Sequence, residues 1–250
     1  MRLKYAFLLS SFCVIILSCT DKKPVSQVQE SSVQQEDSVP VKKVDSVKVA
    51  KTQPLTYKIL VPFNYRLCNP DTIINQNWVE LYKDGKDYYV GKARYGIEMR
   101  EDMCSSTIPT YLAEKRNTIL FVNQLPIKKG KVKIADIAFS DSTYLEPGSV
   151  RNFTFAGKHY KLEAKAQGES QLKNYTLLLN GERIVREARV DAASFALLFA
   201  GDLDGDGKLD LVLSLPRDYE ELRVALFLSS CAPPGLQIGK VAEIEDDFSC

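Results

Sequence analysis

The sequence predicts a mainly β protein, an antiparallel sandwich or barrel-like domain with little helix, set behind an apolar leader and a polar linker. Three observations predict it. Short runs rich in Val, Ile, Leu, Tyr and Phe recur along residues 55–250, each closed by turn residues, a spacing typical of all-β domains. The pair Asn180-Gly181 separates two such runs, the strongest short hairpin signal because both residues tolerate positive φ. Only Pro109 to Arg116 has a helical look, and it is short.

The chain opens with Met1-Arg2-Leu3-Lys4, two positive charges, and continues through Tyr5 to Leu17, thirteen mostly apolar residues without a charge. A basic start and a short apolar core have the shape of a secretory signal. As a helix the core would rise about 20 Å, short of the ~30 Å hydrocarbon layer, so it is not expected to remain as a spanning helix. Its end, Ile16-Leu17-Ser18-Cys19, resembles the lipobox of bacterial lipoproteins, with Ile16 where that family prefers Leu. The resemblance implies cleavage after residue 18, a lipid on Cys19, and a place in the bacterial cell envelope, with the outer membrane as default because Thr20 follows. Residues 19–54 then form a tether. From Thr20 to Pro54 there is no aromatic residue and no glycine, and Asp37-Ser38-Val39 recurs as Asp45-Ser46-Val47. So little bulky apolar surface does not offset the entropy of ordering.

Strand candidates follow in chain order. They are Tyr57 to Val61, Trp78 to Tyr82, Tyr88 to Ala93, Thr118 to Val122 and Val132 to Phe139 in the first half. Asn152 to Phe155, His159 to Ala164, Tyr175 to Leu179, Arg183 to Val190, Phe195 to Gly201 and Leu211 to Leu215 complete the set. Lys83-Asp84-Gly85-Lys86-Asp87 reads as the turn of a first hairpin. The domain, 55–250, is long enough for one unit or for two divided near Pro147-Gly148.

Formal net charge is +1, with no basic stripe interleaved with aromatics along the sequence, so nucleic acid is not an expected partner. Six cysteines are present. Cys13 leaves with the leader and Cys19 takes lipid, leaving Cys68, Cys104, Cys231 and Cys250. An even number in an oxidising compartment suggests two disulfides, with three connectivities open. The pairs Cys68–Cys104 and Cys231–Cys250 are favoured because each lies within one half of the domain. Zinc is disfavoured by the single histidine and the lack of a Cys-x-x-Cys pair.

One motif carries specific chemistry. After Phe195 to Gly201 come Asp202-Leu203-Asp204-Gly205-Asp206-Gly207-Lys208-Leu209-Asp210 and then Leu211-Val212-Leu213-Ser214-Leu215. Asp at loop positions 1, 3 and 5 with Gly at 6 is the calcium-loop pattern, in which alternate carboxylates converge on one ion and Gly permits the reversal. Position 12 is Leu213 rather than the bidentate Glu of a helix–loop–helix site, and the flanks read as strands. The segment resembles the strand–loop–strand calcium loop of the FG-GAP or VCBS repeat, as in integrin α-chain propellers. That resemblance implies carboxylate ligands from Asp202, Asp204, Asp206 and Asp210 and a carbonyl oxygen from Lys208. It covers some fifteen residues, and one copy builds no propeller. Two carboxylates about 5 Å apart repel by ~3 kcal/mol at an effective dielectric of 20, so four together call for a cation.

Signals for catalysis are weak. The only histidine, His159, falls on the polar side of an alternating strand, Gly157 to Ala164. No Gly-x-Ser-x-Gly elbow, His-Glu-x-x-His or phosphate-cradling glycine loop is present. Trp78, Tyr82, Tyr88 and Tyr89 are spaced for core and edge packing rather than for a binding platform. The expected role is therefore non-enzymatic: an envelope lipoprotein held to the membrane by Cys19, with a Ca²⁺-stabilised β domain that serves a binding or structural purpose toward an envelope protein or glycan. The alternative is an envelope hydrolase of the two-carboxylate glycosidase type acting on a polysaccharide.

Overall fold

The computed structural model describes residues 57–101, 108–137, 143–168, 171–191 and 194–249. The leader, Cys19 and the tether lie outside these residues, as do Cys104 and Cys250. Gln53–Cys250 is one compact unit.

Along the described residues the first half holds β1 (Ile59–Leu60), β2 (Phe63–Tyr65), α1 (Pro70–Ile73), β3 (Val79–Asp84), β4 (Asp87–Lys92), β5 (Tyr95–Met99), β6 (Thr110–Glu114), β7 (Asn117–Val122) and β8 (Gly130–Ile134). The second half holds β9 (Val150–Phe155), β10 (Lys158–Gln167), β11 (Gln171–Leu179), β12 (Glu182–Asp191), β13 (Ala196–Asp202), β14 (Asp210–Ser214), β15 (Glu221–Leu228) and β16 (Gly239–Asp247). The protein is mainly β, as the periodicity predicts. Nine strands form one sheet in the order β1-β7-β3-β4-β8-β13-β14-β15-β16, and β16 comes round against β1, so the antiparallel sheet nearly closes into a barrel. A four-stranded sheet, β12-β11-β10-β9, and a three-stranded sheet, β2-β6-β5, complete the fold.

Two hydrophobic cores explain how these sheets combine. Phe199, Val212, Val224, Leu226, Leu228 and Ile244 point into the barrel with Trp78, Leu81, Tyr88 and Phe121. Their chain neighbours Leu197, Leu211, Leu213, Ala225 and Phe227 point the other way, onto Phe153, Leu162, Tyr175 and Leu177 of the four-stranded sheet. β14 and β15 are thus buried on both faces and read as unbroken apolar runs instead of alternating ones. They are a wall shared by both cores.

Local chemistry accounts for the turns. Asn180 and Gly181 both adopt positive φ, 51° and 84°, and join β11 to β12 as the sequence predicts. Gly85, at φ 58°, closes the β3–β4 hairpin. The short α1 starts where Asn69 accepts a hydrogen bond from the Asp71 amide and Pro70 takes the first helical position.

The structure corrects several expectations. Pro109 to Arg116 is not helical. Its centre is β6, paired with β2 on one side and β5 on the other, with Leu112 and Ala113 buried. An isolated helix this short is marginal, whereas two ladders satisfy its backbone on both edges. The run from Val132 leaves its strand at Ile134: the Ala135 amide still donates to the Ala200 carbonyl, but Asp136 pairs with Thr154 of the second sheet. β2, β5, β15 and β16 carry no sequence-level expectation and emerge only as partners in sheets. Among the aromatics, Trp78 and Tyr88 are buried, and Tyr82 stacks on Tyr89 at 5.7 Å with the Arg116 guanidinium 3.6 Å above the Tyr82 ring.

Cys68 and Cys231 are free thiols, and no disulfide occurs among the described residues. Their expected partners, Cys104 and Cys250, lie outside them. Burial, with the Asp246 carboxylate nearby, pushes the Cys68 thiol up to about 11.

Candidate metal centre

β13 and β14 run antiparallel and are joined by the acidic segment, with Gly201 opposite Asp210 at its base. Gly201 is required there: a Cβ would lie 2.4 Å from the Lys133 carbonyl oxygen and 2.7 Å from the Phe199 ring. Leu203 and Leu209, both buried, fix the two ends of the loop, Leu203 in the barrel core and Leu209 in the second core. Between them Gly205 and Gly207 take φ of 82° and 80°, a left-handed conformation that favours glycine. The two glycines thus reverse the chain between the buried leucines.

The carboxylates also act as acceptors for the loop's own backbone. Asp202 Oδ1 accepts from the Gly205 amide at 2.6 Å and its Oδ2 from the Gly207 amide at 3.1 Å. Asp204 Oδ1 accepts from the Asp206 amide at 3.1 Å, and Asp206 Oδ1 from the Lys208 amide at 2.8 Å. Asp210 is fully buried. Its Oδ2 accepts from the Leu203 amide at 2.7 Å, and its Oδ1 from the Ser229 amide at 2.8 Å and the Ser229 hydroxyl at 3.1 Å.

Asp202, Asp204 and Asp210 converge, each offering an oxygen within 4.8 Å of the others. Asp206 stands apart from this trio. Its Oδ2 accepts from the Ser229 hydroxyl at 3.0 Å and lies 3.6 Å from the Lys208 ammonium. The side chain of Lys208 is exposed. Three of the four carboxylates named by the sequence are gathered at one point. Burial, reinforced by the Asp204 charge, pushes the Asp210 carboxyl up to about 7, against the pull of the Ser229 and Leu203 amides. A cation among these oxygens would relieve that penalty. The three side chains offer only oxygen, with neither nitrogen nor sulfur, and so could hold a hard metal ion.

Ser229 and Ser230, at the end of β15, are participants that sequence reasoning missed. Ser230 Oγ donates to Asp204 Oδ2, and the one Ser229 hydroxyl proton is shared between Asp206 and Asp210, so two consecutive hydroxyls face three of the four aspartates. No spacing rule could find them, because they reach the loop only through the β14–β15 pairing. The loop also borders two surface cavities. One of about 240 Å³ is lined by His159, Tyr160, Lys208, Ser229 and Gln237 among others, and one of about 740 Å³ by Gly207, Asp136, Thr154 and Phe155 among others. His159 is exposed on β10, opposite Thr154, as strand alternation predicts.

Carboxylates crowd a second place. A cavity of about 440 Å³ is lined by Asp218, Glu220, Glu221, Glu245, Asp246 and Asp247 together with Arg217. The Arg217 guanidinium bonds both Glu221 and Glu245. Burial pulls Glu221 upward, but the hydrogen bonds from Arg217 outweigh it and hold this carboxyl below its usual range. Asp246 is raised by burial, yet both its oxygens are engaged by the Arg66 and Leu67 amides. Comparison with protein families, with curated proteins and with solved structures gives no match for this chain.

Proposed function

We propose that this chain is a bacterial envelope lipoprotein, anchored through Cys19, whose β domain is stabilised by calcium and works by binding or architecture rather than by catalysis. The observation that carries the calcium reading is the convergence of Asp202, Asp204 and Asp210 within 4.8 Å on a loop of calcium-motif spacing. The ion would neutralise carboxylates at a turn whose two ends enter separate cores, and so would brace the wall that both cores share. The lipid reading rests on the leader and on Ile16-Leu17-Ser18-Cys19. Binding is favoured over glycoside hydrolysis because the two most buried carboxylates of the acidic cavity are engaged: Glu221 is held down by Arg217, and Asp246 is bonded to amides.

The test is a thermal melt of the protein freed of metal and then titrated with calcium. A rise in Tm that saturates in the micromolar to millimolar range, and that Asp204→Ala abolishes, is the expected result. An unchanged Tm up to several millimolar calcium removes the ion from the account. Intact mass of the membrane fraction tests the anchor separately, through the lipid on residue 19.

A further inference from the structure

The four-stranded sheet turns one face to the second core and the other to solvent, and strand register decides what that outer face carries. On β10 the exposed positions are His159, Lys161 and Lys165, with half-buried Glu163 between them, while Tyr160, Leu162 and Ala164 point inward. Across the ladders Glu163 sits beside Leu178, which sits beside Arg183, and Lys165 sits beside Thr176, which sits beside Arg186. One step further, Gln167 sits beside Lys173, which sits beside Arg189.

Among the described residues the sheet face carries six cations, Lys161, Lys165, Lys173, Arg183, Arg186 and Arg189, against three carboxylates, Glu163, Asp191 and, at the β9 edge beside Thr154, Asp136. Glu163 is shared by Lys161 and Lys165, and Asp191 is paired with Arg189. Lys173, Arg183 and Arg186 have no ion-pair partner among the described residues and are all exposed. The chain as a whole carries a formal charge of only +1, so this is charge segregated onto one surface.

We infer that the outer face of the β9–β12 sheet docks onto an anionic phospholipid surface. Charge complementarity and shape select this occupant. The cations are spread in two dimensions over three strands: Lys173 and Arg189 are direct neighbours, Lys165 and Arg186 stand two strands apart across Thr176, and Lys161 and Arg183 extend the field along β10 and β12, a spread that suits a plane of phosphates better than a single chain. Among the described residues no Phe, Tyr or Trp side chain stands on the face to stack unpaired bases, which separates it from platforms that bind single-stranded nucleic acid. Isolated apolar side chains, Val150 and Leu178, lie among the cations without forming a patch for a protein partner. The inference rests on the membrane anchor proposed above only for its setting. A single lipid attachment point reinforced by a basic surface gives stable, orientable membrane association, since tethering raises the local concentration of the face at the bilayer.

The test uses the chain from residue 53 onward, the compact unit, without lipid, so that its outcome does not depend on Cys19. Co-sedimentation is measured with vesicles of phosphatidylcholine alone and with 30% phosphatidylglycerol, about, at low and high salt. Binding only to the anionic vesicles is expected, with a loss of roughly tenfold or more at high salt. The triple variant Lys173→Glu, Arg183→Glu, Arg186→Glu is expected to abolish it while keeping the far-ultraviolet spectrum and Tm. A control with the same charge change elsewhere, Lys58→Glu, Lys92→Glu, Lys240→Glu, is expected to bind normally. Equal binding to both vesicle types, full binding by the folded triple variant, or loss in the control to the same extent overturns the inference. So does tighter binding to a DNA duplex at matched charge concentration, which would assign the face to another polyanion. A positive vesicle result with an unmodified residue 19 in cells would leave the face standing and remove the anchor.

Discussion

The Arg116 guanidinium donates through Nε to Glu80 Oε1 at 2.6 Å, and Glu80 is fully buried on the β3 strand of the barrel sheet. The same carboxylate accepts from the Arg94 amide at 3.0 Å and, through Oε2, from the Thr118 hydroxyl at 2.6 Å. Its partners come from the β4–β5 connection, the β6–β7 turn and β7 itself. Removing Arg116 would leave a buried carboxylate with neutral donors alone. Arg116→Ala is expected to cost about 3 kcal/mol in urea unfolding, the low end for a broken buried pair because the guanidinium is partly in water. A loss near zero would mean that the amide and hydroxyl donors suffice.

In the acidic loop, structural and ligand roles separate by residue. Asp210 holds the loop through three hydrogen bonds that exist without any ion, so Asp210→Asn is expected to lower metal-free stability by about 1–3 kcal/mol. Asp204→Ala, which removes two exposed hydrogen bonds, is expected to change metal-free stability less and to erase the calcium-dependent gain. Paired melts with and without chelator distinguish the two.

β15 provides a test of the two-core architecture. Leu226 and Phe227 are consecutive, and on a strand buried on one face only one of them would matter. Because Leu226 fills the barrel and Phe227 the second core, both truncations to Ala are expected to be costly, about 2–5 kcal/mol each by denaturant unfolding. A small effect at either position would mean that its core is loosely packed.

Thiol chemistry follows pH with a defined sign. Burial raises Cys68 to about 11, so below that value its reactive thiolate is scarce and grows tenfold per pH unit. Exposed Cys231 is expected to be alkylated by iodoacetamide at pH 8 well before Cys68, and Cys68 labelling is expected to accelerate steeply toward pH 10. Peptide mass mapping over time reads both rates, and faster labelling of Cys68 at pH 8 would contradict its environment in the fold.

Gly201→Ala probes the base of the loop. The added Cβ meets the Lys133 carbonyl, which belongs to backbone and yields little, so a loss of about 1–3 kcal/mol is expected in a thermal or denaturant melt.

Much of the local structure was legible in the order of residues. Asn180-Gly181 and the Gly85 turn place two hairpins, alternation assigns the faces of β10, and the Asp and Gly spacing at 202–210 marks the candidate ion site. These features rest on interactions between residues a few positions apart, where backbone preference and side-chain reach decide the outcome. Pro109 to Arg116 escaped such reasoning because its strand state is conferred by β2 and β5, and a short segment with weak preference follows its partners.

What only the tertiary structure decided is everything that depends on register between distant strands. Ser229 and Ser230 meet the aspartates because β15 lies beside β14. β14 and β15 are shared by two cores because sheets close on both of their faces. The basic face exists because the β10–β11 and β11–β12 ladders bring cations from separate strands into neighbouring rows, although no basic stripe runs along the chain. The physical reason is common to all three: short-range preferences set the conformation of a strand, but hydrogen-bond pairing and burial against remote partners set its neighbours.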